Sequence, residues 1–171
     1  MGKLIEQVQI IDMLAAGPLD LDTDRTLDYV SVKNYRRGLM VLSTSAGTAG
    51  DDWNWTIKQA TAVAGTSVKD ADIVDEIWTK QAATNLTATA TWTRTTQTAD
   101  ALISGDATSA EEVSLTVIDL DFSRLDTNNG FDVIGGTITL DASGGAQYGS
   151  CILVLYDPRY PQSAPLGAIA D

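Results

Sequence analysis

The stretch LTATATWTRTTQT, Leu86 to Thr98, alternates with a period of two: threonines at 87, 89, 91, 93 and 95 fall on one side, and Ala88, Ala90, Trp92 and Arg94 fall on the other. Successive side chains of an extended chain point to opposite faces, and threonine's branched Cβ suits a pleated sheet better than a helix. The stretch therefore predicts a long strand. WNWTIKQ repeats the pattern, with Trp53, Trp55 and Ile57 on one side and Asn54, Thr56 and Lys58 on the other. EVSLTVIDLDF alternates as Val113, Leu115 and Val117, then slips to Ile118, Leu120 and Phe122, which predicts a bulge or a strand passing between sheets. GTITLDAS and SCILVLYD supply two more strands, and GLMVLST, apolar on both faces at its centre, reads as an interior one.

Turn signals separate these runs: Gly47 to Asp52, Asn128-Asn129-Gly130, Gly135-Gly136 and Gly144-Gly145. The spacing predicts an all-β protein, an antiparallel β-sandwich or jelly-roll-like single domain, and not βαβ units. Helical signal is thin. KLIEQVQIIDMLAAGP places Leu4, Val8 and Ile11 on one stripe and stops at Gly17-Pro18, so it is either a short helix or a docked extended arm. KDADIVDEIWTKQAA carries Ile73, Ile77 and Lys80 at helical spacing, and DFSRLDTNNGF holds at most one turn. The expected organisation is an N-terminal arm over 1–18, a β-sandwich over 19–161 and a C-terminal tail over 162–171.

Composition narrows the function classes. With 171 residues, 44% apolar and 20% charged, the chain is sized for one domain around one core. No apolar run approaches the roughly 18 residues that span a membrane, so no membrane partner is expected. Glu6, Gln7, Gln9 and Asp12 interrupt any signal-peptide core, and the single cysteine, Cys151, cannot form an internal disulfide; both agree with residence in the cytoplasm where the chain is made. Twenty-three acids against eleven bases give a net charge of −12, which would repel phosphate backbones and argues against nucleic acid.

Reactive chemistry is sparse. The chain has no histidine, which removes Ser-His-Asp and Cys-His catalysis and the usual zinc sites. Cys151 lies on an apolar strand with no base nearby and reads as a small buried hydrophobe. The pairs Asp119/Asp121 and Glu111/Glu112 are ordinary in so acidic a chain. DLDTD alternates carboxylates, but an EF-hand loop from Asp20 needs Gly and Glu where Arg25 and Ser31 stand. DTNNG, from Asp126, is likewise out of register and reads as an Asx turn. No glycine-rich phosphate cradle is present. The expectation is a non-enzyme with no cofactor and no metal, whose four tryptophans (53, 55, 78 and 92) serve core or interface packing, or else line a sugar surface.

The order DYVSVKNYRRGLMVLSTSAG, WTIKQATAVAGTSVK, LTVIDLDFSRLDTNNGFDVI and ILVLYDPRYP, from about Asp28 to Pro161, resembles small β-rich structural proteins encoded among the head genes of tailed bacteriophages. Capsid decoration or cement proteins are the role the resemblance implies: acidic β-domains, commonly trimers, on the outer capsid surface of the virion, clamping the major capsid protein. Such a protein is made in the host cytoplasm. A charge of −12 agrees with the outside of a head, because packaged DNA would repel it.

Within that role the contact candidates are the N-terminal apolar residues Leu4, Ile5, Val8 and Ile11, reaching to the capsid or a neighbouring subunit, and the pair Arg36 and Arg37. The arginines flank the first core strand, one per face, and either pair with acids such as Asp28 or Glu112 or reach a carboxylate on the capsid or a sister subunit. A head-tail connector or tail protein and a carbohydrate-binding module are the alternatives.

Overall fold

The computed structural model describes residues 4–14, 19–82, 91–140 and 147–160. It is an antiparallel sandwich of two sheets. The larger sheet holds β1 (Gln9–Asp12), β2 (Leu19–Asp20), β4 (Tyr35–Thr44), β7 (Val74–Ala82), β8 (Thr93–Asp100), β10 (Val113–Asp121) and β12 (Tyr148–Pro158), in the order β1-β12-β4-β10-β7-β8 with β2 also on β12. The smaller sheet holds β3 (Arg25–Ser31), β5 (Trp53–Ala60), β6 (Lys69–Asp70), β9 (Leu102–Ser104) and β11 (Val133–Leu140), in the order β3-β11-β5-β6 with β9 on β5.

The core lies where the two inner faces meet. Trp53, Trp55 and Ile57 of β5 point inward as their alternation requires, against Met40 and Leu42 of β4, Ile118 and Leu120 of β10, and Leu153 and Leu155 of β12. Each such side chain contributes about 1.5–3 kcal/mol on leaving water. Gly38 sits inside β4 because the Phe122 ring occupies the space a side chain would need: a Cβ there would lie 2.5 Å from Phe122 Cζ. Gly135-Gly136, expected as a turn, lies inside β11 at an irregularity in its pairing with β3. A Cβ on Gly136 would stand 2.5 Å from the Thr56 carbonyl oxygen and one on Gly135 2.6 Å from the Tyr29 ring, so these glycines admit a neighbouring backbone and an aromatic ring and do not reverse the chain. The Asn129-Gly130 turn does form, with Gly130 at φ 82° closing a single 3-10 turn. A second such turn, Phe122–Arg124, precedes it. Gly144-Gly145 lies outside the described residues.

Two other expectations are corrected. The segment read at helical spacing is strand β7, in which a bulge between Val74 and Glu76 brings Val74 and Ile77 to the same buried face. There a step of two residues in β7 faces a step of four in β8, and this break in regular pairing leaves a spacing of three between buried residues of β7, which imitates a helix. The slip expected in β10 does not occur. Its pairing with β4 runs unbroken from Ser114–Thr44 to Asp121–Arg37, and Ser114 and Thr116 fill the inner positions ahead of Ile118. The hydroxyls of Ser114 and Thr44 share a hydrogen bond of 2.6 Å, which lets both be buried.

The N-terminal segment is also integrated into the sheet. Leu4–Glu6 forms a 3-10 turn, β1 pairs with β12, and Met13 and Leu14 enter the core. Val8, Ile10 and Ile11 are β-branched, and β12 offers them a free edge, so the extended form wins over a helix. Residues 1–3 and 15–18 of the expected arm, the C-terminal tail and the first part of the Leu86–Thr98 stretch lie outside the described residues. Within that stretch, β8 begins at Thr93. Among the described residues no helix is long and apolar enough to cross a membrane.

Candidate functional site

The outer face of the larger sheet is apolar across most of its width. Pairing register places Ile10, Val154 and Leu39 in one row, and Ile152, Val41, Val117 and Trp78 in the next. Leu115 extends the band, opposite Ser43 on one side and Lys80 on the other. None of these side chains belongs to the core cluster. Leu39, Val41, Leu115, Val117, Ile152 and Val154 are half-buried, while Ile10 and Trp78 are exposed at 54% and 38%. Trp92, just ahead of β8, is 46% exposed. This arrangement explains why GLMVLST is apolar on both faces: Met40 and Leu42 serve the core, and Leu39 and Val41 serve the outer band.

Charged groups frame the band. At one corner Arg37 ion-pairs with Asp119 at 2.9 Å, its Nε donates to the Tyr156 hydroxyl at 3.0 Å, and Tyr156 donates to Asp119 at 2.6 Å. The Asp119 hydrogen bond, followed by that of Tyr156, holds the Arg37 guanidinium firmly protonated. At the opposite corner Glu76 accepts from Trp78 Nε1 at 2.6 Å and pairs with Arg94; the Arg94 hydrogen bond, then that of Trp78, holds its carboxyl below the usual range.

The two ends of the sandwich differ in their share of bases. Lys33, Arg36, Arg37, Arg124 and Arg159, five of the eleven bases, gather where β3 leads to β4 and β10 to β11, among acids that include Asp75, Asp119, Asp121, Asp126, Asp132 and Asp157. The far end carries Asp20, Asp22, Asp24, Asp51, Asp52, Asp106, Glu111 and Glu112 against Arg25. At the first end Arg36 is exposed and approaches Asp157 at 3.6 Å, so the arginine pair meets Asp157 and Asp119 in place of Asp28 or Glu112.

The sequence-predicted contact residues separate accordingly. Leu4 and Ile5 are exposed at 74% and 57%, but Val8 is buried and Ile11 packs against the core, so those two are not available to a partner. The outer band was missed because alternation alone does not say which of two apolar faces lacks a cover. Ile10, adjacent to Ile11, was the available signal.

The remaining chemistry is structural in character. Burial, reinforced by Asp12, pushes the Cys151 thiol well above its ordinary value. Asp20 Oδ1 accepts from the Asp22 backbone N–H, an Asx turn within DLDTD. A cleft of about 550 Å³ opens at the acidic end, with Trp53, Ile77 and Ile103 as floor and Thr91, Thr93 and Thr95 on one wall. There burial works against ionisation of Asp106, and hydrogen bonds from Thr108 and Gln81 outweigh it, so its carboxyl is held low. Trp53 and Trp55 are core residues, which leaves Trp78 and Trp92 as the accessible indoles.

No protein-family model matches the chain, and no curated protein does. Among solved structures it is similar to the Yersinia pseudotuberculosis-derived mitogen at 10% identity, covering 98% of this chain and 97% of that one with a TM-score of 0.30. It is also similar to viral particle proteins: Triatoma virus at 5% identity, 98% and 72% coverage and TM-score 0.26, and the Gt strain of infectious bursal disease virus at 8% identity, 94% and 43% coverage and TM-score 0.23. Likenesses this loose carry no argument about function. What stands is an all-β antiparallel sandwich with an apolar outer face that no described strand covers.

Proposed function

We propose that this chain is a non-enzymatic structural protein of a tailed-phage virion, a decoration protein that works as a homo-oligomer on the outer surface of the head and clamps the major capsid protein. The observation that carries the reading is the apolar band on the larger sheet, from Ile10 to Trp78, framed by charged pairs. Six strands at roughly 4.8 Å and a nine-residue strand at about 3.4 Å per residue make a face of about 900 Å², comparable to the roughly 800 Å² that one partner contributes to a standard interface. Resemblance over Asp28 to Pro161 and the charge of −12 support the head exterior.

Heads from a phage carrying this gene, with the gene deleted, test the reading when titrated with purified protein and followed by mass photometry. The parent is expected to saturate them, and Val41→Asp to bind at least about tenfold more weakly while staying folded. Failure of the parent to bind, or undiminished binding by Val41→Asp, would refute it. Exposure of Trp78 and Trp92 favours a second reading, a sugar-stacking surface, which a glycan array decides.

A further inference from the structure

From the cleft lined by β7, β8 and β9 we infer a binding site for a small neutral sugar, held by the threonine wall and by the Asp106 carboxylate. This goes beyond the structural role proposed above and does not depend on it, because the cleft lies on the opposite face of β7 and β8 from the apolar band.

Register builds the wall. β8 pairs regularly with β7 from Thr93 to Thr96, which sets Thr93 beside Thr79 and Thr95 beside Ile77. Beyond that run Gln97 donates to the Val74 and Leu102 carbonyls, so the strand is tied down where the wall ends. Elsewhere on the inner face of this sheet stand Met40, Leu42, Leu153 and Leu155, buried beneath the smaller sheet. Thr93 and Thr95 occupy the same face but are exposed to the cleft of about 550 Å³. The wall is neutral, because the one base of β8, Arg94, turns to the outer face and pairs with Glu76.

The lining selects the ligand. Among the described residues no lysine or arginine lines the cleft, while Asp106 and Glu112 do, so phosphates and carboxylates are repelled. The one aromatic ring among the described lining residues, Trp53, is 1% exposed, so an organic cation finds no open ring face. What fits is a neutral molecule that both donates and accepts hydrogen bonds. Each threonine offers one donor and two acceptor sites beside a methyl group, which suits the C–H and O–H groups that alternate around a sugar ring. Asp106 adds a fixed acceptor. Its Oδ1 already accepts from the Thr108 amide at 2.9 Å, the Thr108 hydroxyl at 2.8 Å and Gln81 at 3.1 Å. Among the described residues Oδ2 accepts only a longer bond, 3.2 Å from Gln81, which leaves it open to a sugar hydroxyl. A hydroxyl bonds an ionised carboxylate more strongly than a neutral oxygen. The cleft's volume falls within the roughly 300–1,000 Å³ of small-molecule sites.

Amide chemical shifts of the isotope-labelled full chain, titrated with glucose, galactose, mannose and N-acetylglucosamine to about 50 mM each, read binding directly. At least one sugar is expected to shift the amides of Thr93, Thr95, Ser104 and Thr108, with a Kd of about 0.1–10 mM. The double variant Thr93→Val and Thr95→Val keeps branched side chains suited to a strand and removes two hydroxyls, so it should raise that Kd at least about tenfold with an unchanged far-UV spectrum. Asp106→Asn keeps the size and removes the charge, and should weaken binding about fivefold or more. Trp78→Ala, on the outer face, should leave the Kd unchanged. No response to any of the sugars overturns the inference, as does a response that survives the threonine changes or disappears with Trp78→Ala. Spermidine or inorganic phosphate shifting these amides where the sugars do not assigns the cleft another chemistry and refutes this one.

Discussion

Replacing valine by threonine keeps the shape and the branched Cβ and changes one methyl into a hydroxyl, so its cost reports whether a site is wet. Val30 of β3 is fully buried in the core, and Val41 of β4 lies in the middle of the outer band. At Val30 the new hydroxyl loses its hydration among apolar neighbours, and Val30→Thr should cost about 1–3 kcal/mol. For a chain of this length that lowers the melting temperature by roughly 3–10 °C. At Val41 the hydroxyl stays in contact with water, and Val41→Thr should stay within about 0.5 kcal/mol, or roughly 2 °C. The triple change Val41→Thr, Val117→Thr and Val154→Thr strengthens the contrast, because all three occupy adjacent rows of one face. Differential scanning calorimetry on the isolated protein reads both. If the triple variant loses more stability than Val30→Thr, the face is covered by the same chain in solution and cannot be a docking surface.

Gly136→Ala should destabilise more than Gly38→Ala, because the obstacle is the Thr56 backbone in one case and the edge of a Phe122 ring in the other; urea unfolding should give about 1–3 kcal/mol for Gly38→Ala and a larger loss for Gly136→Ala. Cys151 should resist a thiol reagent in native buffer and react fully in guanidinium, and prompt native reaction would contradict its burial. Hydrogen bonds from Ser123 to Asp121 and from Lys69, then Asn129, to Asp126 hold these carboxyls below their unfolded values. The unfolded chain therefore takes up protons first as pH falls, so the stability these groups confer is complete above about pH 4 and declines below it; calorimetry from pH 5 to 2 should show it, and a flat profile would refute the pairing. Arg37→Gln should cost no more than about 1 kcal/mol, less at high salt, since both partners are over a third exposed.

Alternation carried most of the fold. β5 and the centre of β4 lie where their patterns place them, because one buried face leaves a clear period of two. The two misreadings are mirror images. In β7 a bulge hid a strand behind helical spacing, and in β10 an unbroken strand looked bulged because Ser114 and Thr116 are buried. A buried hydroxyl with a partner across the strand is invisible to a polarity pattern, since the partner, Thr44, lies far away in sequence. The candidate surface was legible only in part. Arg36 and Arg37 stood out by their setting and pair with Asp157 and Asp119, whereas the apolar band exists only once register aligns strands β1, β12, β4, β10 and β7.

The placement of β12 between β1 and β4 sets an order on synthesis. β4 emerges from the ribosome with apolar residues on both faces, and its two neighbours, β10 and β12, follow later; β12 is roughly a hundred residues away, a delay of about 5–20 s at ordinary elongation rates. During that interval β1 has no partner and β4 is an open, sticky ribbon. The native sheet can close only after β12 is made, so the earlier strands are exposed to aggregation or chaperone capture while they wait. A truncation ending before Tyr148 would never leave that state, and in cells it should be recovered in inclusion bodies, not as a shorter soluble domain.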